Sequence, residues 1–142
     1  MGKYRFLDNI AIADAAFEAW GKTLEDLFAT CAAATFEVMG DIRRVEQRET
    51  FKIKLEAEDV ERLLFDFLSE LIYIKDKDRM FFNAYSLKIK EGKTWELEGE
   101  LRGEMIDQKK HKVKLDVKAV TFHLFEVKKD RKNWKAKIIL DV

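Results

Sequence analysis

The chain has 142 residues, a length that suits one domain with a hydrophobic core of its own. Hydrophobic residues make up 47% of it and charged residues 38%, which indicates a globular rather than a disordered protein. Lysine plus arginine and aspartate plus glutamate number 27 each, so no net charge would attract nucleic acid or an anionic membrane, although a local basic patch is compatible with this balance. We therefore expect neither DNA nor a membrane as a partner.

The N-terminal stretch and the cysteine content predict a cytoplasmic protein. The residues MGKYRFLDN contain no apolar signal core, and no run approaches the roughly 20 apolar residues of a membrane span. Cys31 is the single cysteine and cannot form an internal disulfide. It continues an apolar stripe at helical spacing, so we interpret it as a buried thiol in a reducing compartment.

The first predicted elements are a strand and a helix. Residues 14–20 alternate between two sides, as in a strand with one buried face. Thr23 then stands three residues before Asp26, a variant of the capping box, and apolar residues recur at helical spacing from there. This pattern predicts a helix over 23–39.

A second helix and several more strands follow. Apolar residues recur at helical spacing after Asp59 and predict a helix over 58–74, preceded by an extended strand over 43–56. Two alternating stretches, 80–90 and 94–105, flank a turn and predict a hairpin.

The last third of the chain predicts a polar loop and two strands. The loop covers 107–116, and the strands cover 117–128 and 134–141. The order of elements predicts an α+β fold of the strand–helix–strand–strand type in a single domain over 1–142. We expect two helices packed on one face of a mixed or antiparallel sheet of at least five strands.

Enzyme signatures are absent from the sequence. It has no glycine-rich phosphate loop and no GxSxG, CxxC or HExxH motif, and His111 and His123 are its only histidines. A zinc site needs about four nitrogen or sulfur ligands, so zinc is not expected. A Cys–His nucleophile is not expected either, because Cys31 is predicted to be buried. His123 lies in an alternating strand and is predicted to be a structural histidine bonded to a neighbour.

Two charged stretches are predicted to be solvated surfaces. They are RLLFDFLSELIYIKDKDR in the second helix and DQKKHKVK in the polar loop. The alternative for the second stretch is a basic patch that could touch phosphate, although it lacks the interleaved aromatic residues expected of single-strand binding. That patch would consist of Lys109, Lys110, Lys112 and Lys114.

The carboxylates at the two ends of the sequence point to a cation. The final strand puts Asp141 on its polar face, beside the terminal carboxylate of Val142. Two negative groups there repel each other unless water or a cation separates them. If the first strand runs beside the last, Asp14 joins them in an all-oxygen cluster of the kind that Ca²⁺ and Mg²⁺ prefer. The alternative is a solvated chain end and an aspartate with no metal, and spacing alone leaves both open.

Four stretches of the sequence resemble the archease family. ADAAFEAWGKTLEDLF is similar to the family's N-terminal signature, in which His-Thr-Ala-Asp opens a strand and an acidic helix follows. LLFDFLSELIYIKD resembles the second helix of the family, VKAVTFH its Lys-Ala-Val-Thr-Tyr-His strand and IILDV its C-terminus. The matches span nearly the whole chain in the family's order. The family's His-Thr pair is replaced here by Ala11 and Ile12.

The resemblance implies a function without catalysis. Archeases assist the RNA ligase that joins a 2′,3′-cyclic-phosphate or 3′-phosphate end to a 5′-hydroxyl in tRNA splicing. They promote its GTP- and metal-dependent guanylylation and its turnover, so tRNA is reached only indirectly. The family's metal ligands fall here on Asp14, Asp141 and Val142. Lys118 is a candidate contact to phosphate or to a partner carboxylate, with a solvated lysine as the alternative.

Two other classes of function remain open from the residues. One is a small-ligand or nucleotide-binding module that uses the sheet face, as this fold type permits. The other is a metal-dependent hydrolase built on the same carboxylates. The hydrolase is the weaker of the two, because no histidine or lysine is clearly positioned as a general base.

Overall fold

The computed structural model describes residues 2–7 and 14–142, and two α-helices and seven strands lie within them. A short 3₁₀ helix covers Ile42–Arg44. In chain order the other elements are β1 (Lys3–Leu7), β2 (Asp14–Gly21), α1 (Leu24–Met39), β3 (Glu49–Ala57), α2 (Val60–Asp78), β4 (Met80–Glu91), β5 (Trp95–Met105), β6 (Ala119–Asp130) and β7 (Asn133–Asp141).

The described strands form two antiparallel sheets. The first has four strands in the order β1-β2-β7-β6, and the second has three in the order β3-β5-β4. Both helices pack against strands of both sheets. The predicted α+β class with two helices is confirmed. The strands divide between two sheets where the sequence predicted one, because an alternating pattern shows that a strand has a buried face but not which strand it pairs with.

Both predicted helices are present and begin at capping residues. The hydroxyl of Thr23 accepts a hydrogen bond from the backbone N–H of Asp26 at 3.0 Å, and a carboxylate oxygen of Asp59 accepts one from the N–H of Arg62 at 2.7 Å. These bonds satisfy N–H groups that have no partner inside the helix. Within residues 2–7 and 14–142, no helix is long and apolar enough to cross a membrane.

Two strands differ from what the sequence predicts. One is β1, for which the sequence predicts no strand. The strand predicted over 43–56 begins only at Glu49, because Ile42–Arg44 forms the 3₁₀ helix instead. Asp41 caps this turn, and its carboxylate accepts a hydrogen bond from the backbone N–H of Arg43 at 3.2 Å.

The hydrophobic core contains Cys31, as the sequence predicts. Its side chain is fully buried, and burial raises the pKa of the thiol. We expect native Cys31 to react with a disulfide reagent roughly 100-fold or more slowly than in the urea-unfolded chain, since reaction requires the core to open. Release of the coloured thiol product, followed by absorbance, measures both rates. Equal rates would contradict the burial of Cys31.

A bulge interrupts β6 beside its pairing with β7. The register shifts between Thr121 and Glu126, and Leu124 adopts a left-handed φ of 56°. Phe122 is about half exposed, and its ring stacks on that of Phe65 with centroids 3.8 Å apart. His123 is exposed, and no hydrogen bond of its ring is found within the described part of the chain, which does not match the predicted bonded strand histidine.

Candidate metal centre

The two aspartates predicted to share a site lie directly opposite each other. β2 and β7 pair so that Asp14 faces Asp141. Residues directly opposite in an antiparallel pair point to the same face, and their Cβ atoms lie about 4.5–5.5 Å apart. The structure therefore brings the two carboxylates together at one end of the two inner strands of the first sheet, a place that we call the carboxylate edge. Both residues are partly exposed.

Val142 and Lys118 lie at the same edge. Val142 directly follows Asp141, and its side chain packs against the hydrophobic core. The backbone N–H of Lys118 donates a hydrogen bond to the carbonyl oxygen of Asp141 at 2.8 Å, and the side chain of Lys118 is exposed. All four predicted site residues are thus neighbours, and one of them carries a positive charge.

A buried lysine holds the segment that leads to Lys118. The ammonium group of Lys75 in α2 lies 2.6 Å from a carboxylate oxygen of Asp116 and 3.0 Å from the carbonyl oxygen of Val117. The Lys75 side chain is only 5% exposed. These bonds fix the start of β6 beside the end of β7.

The burial of Lys75 differs from the sequence prediction, in which the charges at the end of the second helix form a solvated surface. A signal was present, since Lys75 follows Leu71 by four residues and so lies on the apolar stripe. A lysine is almost never fully buried unless it is paired, so the burial of Lys75 depends on partners such as Asp116.

The donors at this edge fit a hard divalent cation. Asp14, Asp141 and the carboxylate of Val142 offer only oxygen atoms, which Ca²⁺ and Mg²⁺ prefer. Among residues 2–7 and 14–142, no three His, Cys, Asp or Glu side chains are grouped closely enough to hold a metal. The third donor of this set would therefore be a main-chain carboxylate. Ala11 and Ile12, which stand where the family has His-Thr, lie outside the described residues.

A second polar cluster surrounds a buried histidine. His111 is fully buried. Its Nδ1 accepts a hydrogen bond from the backbone N–H of Asp107 at 3.0 Å, so its Nε2 carries the proton and donates to Glu104 at 2.9 Å. Glu104 also accepts a bond from the N–H of Glu46 at 2.7 Å and lies 2.8 Å from the ammonium of Lys110.

The electrostatics of this cluster favour a structural role. Burial by itself raises the pKa of Glu104, but the hydrogen bonds from Lys110, the Glu46 backbone and His111 outweigh it and lower the pKa to about 2. The carboxylate is therefore ionised and held by fixed donors. A carboxylate so stabilised is a poor proton acceptor.

The cluster also revises the interpretation of the polar loop. His111 was expected on a solvated surface, but Phe81 packs beside its ring with centroids 5.6 Å apart. Lys110 is paired with Glu104 and Glu46, the latter at 3.2 Å. The four loop lysines therefore do not form one free basic patch.

The fold and this edge define a small α+β protein with a candidate carboxylate site where its second and last strands meet. The family model described as "Archease protein family (MTH1598/TM1083)" matches residues 4–142. Protein archease of Pyrococcus furiosus is 36% identical over 133 residues, which cover 92% of this chain and 93% of that protein. Protein archease of Methanothermobacter thermautotrophicus is 38% identical over 143 residues, covering both chains completely. The chain belongs to the archease family.

Solved structures share the fold. The solution structure of Methanobacterium thermoautotrophicum protein 1598 is similar with a TM-score of 0.81 and 37% identity, covering 98% of each chain. The crystal structure of an archease from Thermotoga maritima has a TM-score of 0.61 at 20% identity and covers 97% of this chain and 98% of its own. The second likeness concerns the fold alone.

Proposed function

We propose that this archease-family chain activates the tRNA-splicing RNA ligase that joins 2′,3′-cyclic-phosphate or 3′-phosphate ends to 5′-hydroxyls. In this role it promotes guanylylation of the ligase and its turnover and has no catalytic activity of its own. The observation that carries the proposal is the register that sets Asp14 opposite Asp141, with Lys118 and Val142 beside them. The proposed place of action is the cytoplasm.

Each residue of this edge has a part in the proposed function. Asp14, Asp141 and the carboxylate of Val142 hold Ca²⁺ or Mg²⁺ through oxygen atoms. Such an ion, when bound, neutralises phosphate charge near the nucleotide site of the ligase. Lys118 contributes a positive charge that contacts a phosphate or a carboxylate of the ligase, and Lys75 keeps the backbone before Lys118 in position.

The positions of Cys31 and His111 support an activator over a hydrolase. Cys31 and His111 are fully buried and cannot reach a substrate at the carboxylate edge. His111 is also bonded at both ring nitrogens. A hydrolase would need a general base within hydrogen-bonding reach of its water, directly or through one more water.

The test adds the protein to the purified ligase. With GTP, divalent metal and an RNA ending in a 2′,3′-cyclic phosphate, it should increase both the fraction of guanylylated ligase and the number of joining events per ligase. The matched control contains the protein without the ligase and should consume neither GTP nor RNA. Turnover in that control, or no increase in guanylylation, would contradict the proposal.

A cavity favours small-ligand binding as a second candidate function. It has a volume of about 400 Å³, within the usual range for ligand sites, and lies between β1, α1 and β4. Tyr4, Asn83 and Tyr85 are among its lining residues. Within the described residues, the side-chain oxygen of Asn83 is buried and has no hydrogen-bond partner. Saturable binding of GTP by the protein alone, measured by calorimetry, would favour this alternative.

A further inference from the structure

Positive charge is concentrated at the end of the first sheet that lies opposite Asp14 and Asp141. Residues 128–135, which span the β6–β7 hairpin turn, contain five lysines or arginines and a single aspartate. Because the formal net charge of the whole chain is +0, these cations are segregated rather than part of a general excess. We call this surface the basic end, and it consists of Lys3, Lys22, Lys129, Arg131, Lys132 and Lys135.

Two tryptophans lie among these cations and project from opposite faces of the first sheet, because Trp134 pairs with Gly21 and not with Trp20. The register sets Trp20 opposite both Lys3 and Lys135. The ammonium nitrogens of these lysines are 5.7 and 5.5 Å from the centroid of the Trp20 ring. Trp134 lies opposite Lys129, whose ammonium is 5.6 Å from its ring centroid. Each indole therefore has a cation within cation–π distance.

A shallow opening lies beside Trp20 and Lys3. It has a volume of about 150 Å³, too small for a whole drug-sized ligand but sufficient for part of a longer one. An aromatic ring, two ammonium groups and a carboxamide therefore share one opening. Its lining residues are Gly2, Lys3, Trp20, Gly21, Lys22 and Asn133.

Nearby carboxylates offset only part of the charge of the basic end. Glu18 forms ion pairs with Arg5 and with Lys135, the latter at 3.0 Å, and Asp130 precedes the turn, so the two carboxylates leave an excess of positive charge. Asp14 is six residues from Trp20 along β2, about 20 Å at the rise of a strand. That distance exceeds the Debye length of about 8 Å at physiological salt.

We infer that the basic end binds a single-stranded RNA segment. Ammonium groups beside aromatic rings are the combination that recognises such a strand, in which bases stack on the rings and phosphates contact the cations. This goes beyond the proposed function, in which RNA is reached only through the ligase. A duplex fits less well, because its bases are stacked on one another and cannot cover an indole.

The test measures binding of a fluorescein-labelled 12-nucleotide oligouridylate by anisotropy, in low salt and without ligase or divalent metal. The decisive variant is Lys129→Glu combined with Lys132→Glu, both exposed positions in or beside the β6–β7 turn. We expect it to bind at least about tenfold more weakly than the wild type. Its plot of log affinity against log salt should also be less steep by about 1.4, because each lost phosphate contact changes that slope by about 0.7.

The chain offers a matched control for this variant. Lys90→Glu combined with Lys93→Glu makes the same charge change at the same spacing, in and beside the β4–β5 turn of the other sheet. Binding by this control should stay within about twofold of the wild type, since surface charge far from the site contributes little. A separate Trp20→Leu variant should bind roughly 5- to 100-fold more weakly, with its fold checked by circular dichroism.

Three outcomes would overturn the inference. One is no saturable binding of the oligouridylate by the wild type. Another is an equal loss of affinity for the oligouridylate in the Lys129/Lys132 and Lys90/Lys93 double variants. The third is an unaltered wild-type affinity in the Lys129/Lys132 variant. If the Lys129/Lys132 variant keeps its affinity for the oligouridylate and loses only activation of the ligase, the basic end contacts the ligase and not RNA. Because ligase and metal are absent from the binding assay, none of its results bears on the carboxylate edge.

Discussion

Replacing Asp141 with asparagine is expected to abolish both activation of the RNA ligase and stabilisation of the protein by Ca²⁺ or Mg²⁺. The substitution removes one of the two side-chain carboxylates that face each other across β2 and β7. An ion that binds only the folded state adds about 2.7 kcal/mol of stability at 100 times its Kd. Thermal unfolding with and without the ion measures that gain, which Asp141→Asn and Asp14→Asn should each largely remove. Without the ion, both variants should be at least as stable as the wild type, because opposed carboxylates repel.

Glu18→Gln is the matched control for these variants. Glu18 lies in the same strand and on the same face as Asp14, about 13 Å away, and is held by Arg5 and Lys135. This variant should keep the metal-induced rise in melting temperature and the activation of the ligase. The carboxylate site would be refuted by an Asp14→Asn protein that binds the ion as tightly as the wild type and still activates the ligase.

Replacing Glu104 with alanine is expected to lower the free energy of unfolding by about 2–4 kcal/mol. The change leaves the buried ring N–H of His111 and the backbone N–H of Glu46 without their acceptor, and the ammonium of Lys110 loses a partner. Each buried donor without a partner costs about 1–3 kcal/mol. Urea unfolding at neutral pH measures the difference from the wild type.

The pH dependence provides a separate check on Glu104. Its pKa in the folded protein is about 2, below the ordinary glutamate value of 4.5. A carboxylate with a lowered pKa stabilises the fold at pH values above its ordinary pKa, and the contribution is lost as pH falls from about 4.5 towards 2. Glu104→Gln should therefore lose less stability than the wild type across that range.

The same strand contains the control for Glu104. Glu98 is exposed, and its ion pair with Lys54 is long, at 3.7 Å. Exposed pairs of this kind contribute about 0–1 kcal/mol, so Glu98→Ala should change stability by less than about 1 kcal/mol. Equal losses for Glu98→Ala and Glu104→Ala would show that the buried cluster has no special importance.

The elements that the sequence predicts well are those fixed by neighbouring residues. The helices follow from apolar stripes and from caps such as Thr23 and Asp59, which lie next to the residues that they stabilise.

The resemblance to archeases and the position of Asp141 in an alternating strand predict a meeting with Asp14. This pairing can be predicted because Asp14 falls at the start of its strand and Asp141 at the end of its own.

The features that the sequence does not predict depend on residues far apart in the chain. The division into two sheets is decided by pairings such as that between β3 and β5, which the alternation of each strand leaves open. His111 looks like part of a solvated loop until Phe81 is brought beside it from β4. Lys75 is buried because Asp116 and Val117 come to it from a segment about 40 residues later.

The position of β7 has a consequence for synthesis on the ribosome. β7 is the last strand of the sequence, yet it lies between β2 and β6. After Asp14 is made, more than a hundred residues must follow before its neighbour in the sheet exists, which takes on the order of ten seconds. Until β7 emerges from the exit tunnel, β2 exposes an unpaired edge that can join another strand, whereas β6 emerges almost together with β7. A nascent or truncated chain that lacks β7 therefore cannot bring Asp141 opposite Asp14.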